Sequence, residues 1–294
     1  MSEANAAERR FIAGIETSTW SDMKVAHAAE IWRQLEGRVE VWTTSLAVYL
    51  DIHQTGPNTL QWTVRETARA PVEEWSLLFG DIVHNLRSAL DALIYGICLL
   101  ATPGPTASDE RRIYFPAEHD ESKWEARWGK DLKFLEPEVL ERVRSYQPFA
   151  QPDQNDNFLH HLHAIDIADK HRGQVYLGLN PAAILGESVQ VAVSEEFPDN
   201  KMVEHKIFNV PYEVSDGTIV AVTTIPVEIR DVRLLVVDRQ SMSVWFNRDG
   251  TPVEIGKYVP ELIKSTKEAL AFVRQGSPPT TPGTIEIVDV NPST

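Results

Sequence analysis

The residues of this chain best suited to chemistry lie in Gly80–Asp91, which reads Gly-Asp-Ile-Val-His-Asn-Leu-Arg-Ser-Ala-Leu-Asp. At the roughly 100° per residue of a helix, His84, Arg87 and Asp91 fall in one narrow stripe, opposite the apolar positions. An imidazole, a guanidinium and a carboxylate on adjacent turns can hydrogen-bond to one another or converge on a ligand. We therefore take these three as candidate catalytic residues. The neighbouring candidates for ligand binding are Asn85 and Tyr95.

The same stripe also fits a structural role, and the sequence leaves both roles open. Its side chains can form a solvated face or a polar network that holds this helix to another element. Gly80 and Cys98 share the stripe, and such small residues suit the close approach of another backbone or of a ligand. Cys98 itself lies in an apolar helical run, which favours an inert buried thiol over a nucleophile.

A second polar set follows in a helix predicted near residues 155–172. The apolar face of that helix is defined by Phe158, Leu162 and Ile165. Asp169 lies nearly at the centre of that face, and a carboxylate directed at a core is costly unless it is paired or hydrogen-bonded. We therefore expect Asp169 to meet a cation of the helix that contains Gly80–Asp91, namely Arg87.

Three histidines on the same helix suggest a metal site as an alternative. His160, His163 and His171 lie together on another side of the helix, where they could bind zinc. A zinc site needs a further ligand, which Asp166 or His84 would supply only through favourable packing. No ligand spacing in the chain is diagnostic, so we expect no metal and no cofactor. The Walker, dinucleotide, Gly-x-Ser-x-Gly and His-Glu-x-x-His motifs are absent from the sequence.

Two heptad seams predict a pair of long helices. The first seam predicts a helix from about Asp22 to Leu50, with Gly37 as its weakest point. The second helix begins at Pro71, which suits the first helical position, and is ended by Thr102-Pro103-Gly104-Pro105. Complementary seams on helices of similar length most simply pack on each other.

Shorter helices are predicted over 121–135, 137–146 and 155–172, then β-rich segments between 175 and 246, and a closing helix over 259–274. The predicted fold class is therefore α+β: an N-terminal helical bundle with two long packed helices, followed by an antiparallel β-rich region and a C-terminal helix. The predicted domains are a loose N-terminal segment (1–20), a helical bundle with a short strand near 59–66 (21–173), a β-rich region with the closing helix (174–275) and a disordered tail (276–294).

The composition restricts the partners and the compartment. The chain has 43 acidic and 28 basic residues, with a net charge of −15. Extended nucleic-acid surfaces use many Lys and Arg contacts, so we expect no extended DNA binding, while a small local RNA site stays open. The single cysteine permits no internal disulfide. The first residues lack signal-peptide features and the run Ala92–Ala101 is about half a membrane span, so we expect a soluble cytoplasmic protein without a membrane partner.

Three short motifs, in order, resemble a family of uncharacterised bacterial proteins that is frequent in actinobacteria. The family pattern is a Gly-Asp-x-x-His-Asn-Leu-Arg-Ser-Ala-Leu-Asp helix, a Phe-Pro segment and an Asp-Lys-His-Arg helix end. In this chain they are Gly80–Asp91, Phe115-Pro116 and Asp169–Arg172, and the resemblance covers roughly residues 25–180. The resemblance implies no particular activity. The last motif supplies the further candidate binding residues Asp169, Lys170, His171 and Arg172.

The helix that contains Gly80–Asp91 also resembles, more weakly, HEPN domains, helical bundles that often act as ribonucleases in toxin–antitoxin and defence systems. Their motif is an arginine followed, after four to six residues, by a histidine on the same helix. Here Arg87 is followed by Ser-Ala-Leu-Asp-Ala, so Ala92 stands where the histidine would be. His84 precedes Arg87 in the chain, although it is one helical turn away in space.

The leading prediction is a binding or structural module of this bacterial family, with a polar network of His84, Arg87, Asp91 and Asp169 and a small ligand or a protein as its partner. The sequence leaves open whether the protein is an enzyme. One alternative is a HEPN-like ribonuclease, or an inactive descendant of one, in a toxin–antitoxin or defence context. Another is a metal-dependent enzyme that uses the His-rich helix. The long helices, with their tryptophans Trp20, Trp32 and Trp42, also allow a homo-oligomer.

Overall fold

Helices and antiparallel sheets alternate along the chain, which confirms the predicted α+β class. A computed structural model describes residues 3–45, 47–152, 154, 157–171, 177–180, 189–193, 202–208, 216–234, 243–248 and 251–275. These residues fall into two compact units. The helical unit is drawn from Met1–Gln34, Ser76–Val175 and Lys257–Thr294, and the sheet unit from Leu35–Trp75 and Tyr176–Gly256.

The helices lie mostly where the sequence predicts them. In chain order they are α1 (Glu3–Thr44), α2 (Val72–Leu100), α3 (Ala107–Glu110), α4 (Glu121–Lys123), α5 (Gly129–Asp131), α6 (Pro137–Ser145), α7 (Phe158–His171) and α8 (Ile255–Gln275). A π-helical turn, Trp124–Trp128, joins α4 to α5, and a 3-10 turn, Pro148–Ala150, follows α6.

Helix α2 contains the candidate stripe and begins directly after Pro71. Glu73 and Glu74 lie in its first turn, where the positive end of the helix dipole favours acidic side chains. Its heptad positions belong to the core; among its fully buried side chains are Phe79, Val83, Leu86, Leu90 and Leu93. It is the one described helix long and apolar enough to cross a membrane, a test that buried core helices also pass, and 61% of its most apolar window is buried.

Helix α1 packs against α2 through glycine. A Cβ added to Gly14 would lie 2.7 Å from Leu100 Cδ2 and 2.9 Å from the Gly96 carbonyl oxygen, so the two helices approach closely only because Gly14 has no side chain. The predicted packing of two long helices is thus confirmed. The structure differs from the predicted loose segment over 1–20, because α1 already begins at Glu3. The Ala, Glu and Arg residues that follow Glu3 are strong helix formers.

The end of α1 also differs from the prediction, which extended the helix to Leu50. The helix ends at Thr44, and Val48–Gly56 forms strand β1 instead. Val48 pairs with Glu66 and Leu50 with Val64 in an antiparallel ladder with the next strand. The ladder satisfies the backbone groups of this segment, and that pairing partner cannot be read from a local heptad pattern.

The strands are β1 (Val48–Gly56), β2 (Thr59–Glu66), β3 (Leu177–Asn180), β4 (Val189–Val193), β5 (Glu204–Ile207), β6 (Ile219–Thr224), β7 (Ile229–Leu234), β8 (Ser243–Arg248) and β9 (Thr251–Glu254). They pair in the orders β1-β2-β6-β5, β3-β8-β9 and β4-β7, all antiparallel. Beside the first sheet lies an apolar cluster of Leu60, Ile225, Val227 and Ile229, with Ile52 packed against it. Strands β1 and β9 lie outside the segments that the sequence predicted to be β-rich.

The two units are composed differently from the predicted domains. The segment Leu35–Trp75 belongs to the sheet unit, whereas the closing helix belongs to the helical unit from Lys257 onward. Arg142 Nε donates to the Val273 carbonyl at 3.1 Å, and Arg274 Nη1 lies 2.8 Å from a carboxylate oxygen of Asp22. These contacts connect helix α8 to α6 and to α1. The predicted tail, 276–294, lies outside the described residues.

Candidate functional site

The stripe on α2 lies against α7, with the two helices in antiparallel register. A Cβ built on Gly80 would lie 2.8 Å from Asp169 Oδ2, and the next contact pairs His84 Nδ1 with Asp166 Oδ1 at 3.2 Å. The glycine at position 80 thus makes room for the Asp169 carboxylate. The step of four residues from Gly80 to His84 matches the step of three from Asp169 back to Asp166, so these two residues of α2 meet successive turns of α7.

Arg87 closes a ring of hydrogen bonds between α2 and the loop after α3. Its side chain is 6% exposed, and Nη2 lies 3.1 Å from Asp91 Oδ1 while donating to the Phe115 carbonyl. The same Asp91 oxygen accepts the Phe115 backbone N–H at 2.9 Å. Arg87 thus binds the backbone carbonyl of Phe115 and Asp91 binds its backbone N–H, so the two side chains anchor the Phe115-Pro116 segment to α2.

The prediction that Arg87 forms an ion pair with Asp169 is wrong. Arg87 pairs with Asp91, and Asp169 lies beside Gly80. The carboxylate that α7 presents to a basic side chain of α2 is that of Asp166, and its partner is His84.

One guanidinium nitrogen of Arg87 lacks a partner. Nη1 is buried and has no hydrogen-bond acceptor in the part of the chain that the structure describes. Buried polar groups in proteins almost always have a partner, and an unsatisfied buried donor costs about 1–3 kcal/mol, more when it is charged. This nitrogen therefore marks a place where an acceptor oxygen is expected.

His84 links an exposed hydroxyl to a buried carboxylate. Its Nδ1 contacts Asp166, whose side chain is 8% exposed, and its Nε2 lies 3.4 Å from Ser88 Oγ. A carboxylate accepts only, so the imidazole places its N–H on Nδ1 when neutral. Nε2 is then the lone-pair nitrogen that faces the hydroxyl.

Further histidines lie close to this contact region. Burial first, and then the positive charge of Arg87, hold the pKa of His163 below its ordinary value of 6.5, while Asp166 acts in the opposite direction. His163 is therefore neutral near pH 7. His160 Nδ1 lies 2.9 Å from His119 Nε2, with the rings perpendicular. In such a contact one of these two nitrogens donates and the other accepts.

The other predicted site residues have partners of their own or lie outside the description. Asn85 Nδ2 donates to the Asp81 carbonyl at 2.8 Å, and Tyr95 lies near the Glu110 carboxylate. Burial, with that carboxylate, raises the pKa of the Tyr95 phenol. The side chains of Lys170 and His171, and all of Arg172, are outside the described residues, so their roles stay predictions.

The metal hypothesis meets no ligand cluster in the described part of the molecule. No group of three or more His, Cys, Asp or Glu side chains there is arranged to hold a metal ion. Of the three histidines predicted as zinc ligands, His160 contacts His119, and the positive charge of Arg87 lowers the pKa of His163. The side chain of the third, His171, is outside the described residues.

Sequence reasoning missed three participants in this region: Ser88, Phe115 and His119. Ser88 lies within the conspicuous motif, one turn after His84, and the helical spacing was available to find it. Phe115 takes part through its backbone N–H and carbonyl, so its side-chain type could not indicate a role in the site. His119 comes from a loop segment whose approach to α7 no periodicity predicts.

Two other features of the helical unit are separate from this cluster. A cavity of about 390 Å³ is lined by Trp32, Pro260, Ile263, Lys264, Lys267 and Glu268, none of which is a predicted site residue. Cys98 is buried, and burial raises the pKa of its thiol to about 12. Such a thiol stays protonated at neutral pH and is a poor nucleophile.

Comparison with known proteins adds no assignment. No protein-family model, no curated protein and no solved structure matches this chain.

Proposed function

We propose that this protein is a binding module that holds a small oxyanion, a carboxylate or a phosphate, on Arg87. One observation supports this most directly: the guanidinium is 6% exposed, yet Nη1 has no acceptor among the described residues. An oxygen of a bound ligand would satisfy that nitrogen and remove the cost of burying it unpaired. Arginine suits the task because its planar fork offers several N–H groups to one oxyanion.

The surroundings of Arg87 also suit a bound oxyanion. Asp91 pairs with the guanidinium and is 37% exposed, so the ion pair reaches the solvent from which a ligand arrives. His163 is neutral near pH 7 because burial and Arg87 lower its pKa. A neutral imidazole has one N–H, which can donate to the same anion.

Calorimetric titration of the full chain with inorganic phosphate, and separately with acetate, tests the proposal. We expect saturable binding of at least one anion at low ionic strength. Arg87→Lys keeps the positive charge but lacks the fork, so the affinity should fall by about tenfold or more. Arg33→Lys changes an arginine on α1 that is 68% exposed and should bind as the parent does.

Two results would contradict the oxyanion proposal. One is the absence of saturable heat with either anion in the parent protein. The other is equal affinity in Arg87→Lys, provided that circular dichroism shows both variants to be folded.

A HEPN-like ribonuclease, or an inactive descendant of one, is the second candidate, and one observation favours it. HEPN-like chemistry needs an arginine for the phosphate and a histidine for proton transfer. The helix lacks the histidine of the motif at Ala92, but His163 of α7 feels the charge of Arg87 and is held neutral. A neutral imidazole beside a guanidinium is suited to accept the proton of a ribose 2′-hydroxyl.

A labelled single-stranded RNA, incubated with the full chain in EDTA, tests this candidate. Cleavage that is lost in His163→Ala and kept in His27→Ala would support a nuclease, since His27 lies exposed on α1. Cleavage that persists equally in His163→Ala would assign the activity to a contaminant. Intact RNA throughout would leave the binding module as the function.

The setting we propose is that of the bacterial family which the motifs resemble, as a soluble protein of the cytoplasm. The net charge of −15 and a single cysteine with a buried thiol support this setting. Recovery of the native chain from bacterial cells in the soluble fraction is the expected outcome, and its recovery with membranes would argue against it.

A further inference from the structure

Ser88, His84 and Asp166 form a continuous chain of polar contacts. Ser88 Oγ lies 3.4 Å from His84 Nε2, and His84 Nδ1 lies 3.2 Å from Asp166 Oδ1. The hydroxyl and the imidazole come from adjacent turns of α2, and the carboxylate comes from α7. The order is a hydroxyl, an imidazole and a buried carboxylate.

This order is the arrangement by which proteins activate a serine. A serine hydroxyl is a weak nucleophile unless a base within hydrogen-bond reach removes its proton, and the base works best when a third group orients it. The Asp166 side chain is 8% exposed, so its charge acts on His84 with little screening by water. The His84 side chain is 47% exposed, so the imidazole is accessible from solvent.

We propose that Ser88 is a nucleophile, with His84 as its general base and Asp166 as the positioning residue, and that it attacks small carboxylic esters. The Ser88 Oγ–carbon bond forms as the carbon–alkoxide bond of the ester breaks. The Ser88 proton passes to His84 Nε2 and then to the departing alkoxide. Water next attacks the acyl-serine, gives its proton to His84 and releases the acid, and the proton returns to Ser88.

The surroundings limit the substrate class. Asp81 lies one turn before His84 on α2, and the Asp166 carboxylate contacts the imidazole from α7, so two carboxylates lie near this pair. Their field disfavours an anionic acyl donor, and a neutral ester fits best. Ser88 is in the middle of a helix, where backbone N–H groups are already bonded, so an ester with a good leaving group is required.

This inference is independent of the oxyanion proposal. It concerns Ser88 Oγ and the partly exposed face of α2, whereas the oxyanion proposal concerns Arg87 Nη1. Residues 87 and 88 point about 100° apart around the helix.

A fluorophosphonate probe tests the nucleophile on the intact chain, because its reaction with an activated serine forms an Oγ–phosphorus bond and releases fluoride. We expect a single adduct, mapped to Ser88 by digestion and mass spectrometry. Ser88→Ala should abolish it, and His84→Gln should slow labelling by about 100-fold or more. Ser145→Ala removes an exposed serine whose hydroxyl only donates to the Arg142 carbonyl, so its labelling should equal that of the parent.

Asp166→Asn separates positioning from simple stability. An amide cannot hold the imidazole in the required tautomer, so labelling should slow while the folded state persists by circular dichroism. Labelling of Asp166→Asn should differ from that of the parent in its dependence on pH as well as in its rate. Adducts spread over several serines, a rate unaffected by His84→Gln, or no adduct with the folded parent would each overturn the proposal.

Discussion

At the scale of single residues, Arg87 is the group on which the polar cluster depends most. It is nearly fully buried and bonds to both Asp91 and Phe115, so its removal leaves a carboxylate and a backbone carbonyl without their cation. Hydrogen bonds to charged groups contribute about 1.5–3 kcal/mol each, and the Asp91 carboxylate left behind is 37% exposed to water. We therefore expect Arg87→Ala to lower the free energy of unfolding by about 1.5–3 kcal/mol, measured by urea denaturation.

Arg33→Ala is the matched control for this measurement. Arg33 pairs with Glu30 on the surface of α1, with 68% of its side chain exposed. Exposed ion pairs contribute about 0–1 kcal/mol, so this variant should unfold close to the parent. Equal unfolding curves for Arg87→Ala and the parent would show that the buried ring contributes no net stability.

His163 makes stability depend on pH. Burial and Arg87 lower its pKa in the folded state, so the unfolded chain binds the proton more tightly. Its contribution to stability is therefore complete above about pH 6.5, the ordinary histidine value, and is lost as the pH falls below it. We expect the free energy of unfolding to decline between pH 7.5 and 5.5, and His163→Gln to reduce that decline.

His27→Gln provides the reference for the pH experiment, since it removes an exposed histidine of α1. Its pH profile should follow that of the parent. If His163→Gln keeps the full decline, the loss of stability at low pH comes from other groups.

At the scale of elements, two glycines of α1 have opposite consequences. A Cβ at Gly14 would meet Leu100 at 2.7 Å and the Gly96 carbonyl at 2.9 Å, and a backbone carbonyl of α2 cannot move aside alone. We expect Gly14→Ala to destabilise the protein by about 1–3 kcal/mol, the usual cost of overpacking. Thermal unfolding followed by circular dichroism at 222 nm measures it.

Gly37 is the internal control, because nothing lies within 4 Å of a Cβ built there. In an open helical position alanine is better than glycine by about 1 kcal/mol. Gly37→Ala should therefore raise the melting temperature while Gly14→Ala lowers it. Two changes of the same sign would contradict the close packing of α1 and α2 at Gly14.

At the scale of the whole molecule, the excess of acidic residues dominates the long-range electrostatics. A net charge of −15 at pH 7 repels itself more strongly in the compact state than in the unfolded chain. Salt screens that repulsion over roughly 8–10 Å at physiological concentrations. We expect the melting temperature to rise between about 10 and 300 mM NaCl at pH 7, by about 2–4 °C for each kcal/mol gained.

The same titration at pH 5 is the control, since the isoelectric point is near 5.0. With little net charge to screen, salt should leave the melting temperature unchanged or lower it by weakening ion pairs. A salt effect of equal size at both pH values would show that net charge is not its cause.

The burial of the tryptophans limits the predicted association through helices. Trp32 and Trp42 are each 9% exposed and belong to the core, and only Trp20 of the three is on the surface, at 51%. A homo-oligomer stays a prediction, which the mass in solution by light scattering would decide. Association through this aromatic set would use Trp20 alone.

Much of the architecture follows from the sequence by itself, because helices and strands depend on local backbone geometry. Pro71 and the Thr102–Pro105 stop enclose α2 within one residue of its observed ends, Val72 and Leu100. The period-two alternation of Leu60, Trp62 and Val64 identifies β2. The polar stripe of α2 follows from the same reasoning, since angular position on a helix depends only on residue number.

The partners of that stripe are decided only by the tertiary structure. Helical periodicity places Asp166 and Asp169 on α7, but the register of α7 against α2 determines that His84 meets the first and Gly80 the second. Strand β1 is also decided by tertiary structure: it pairs with β2, where the sequence predicted the end of a helix. Register between elements depends on how all the core side chains fill space together, and no local pattern in the chain encodes that sum.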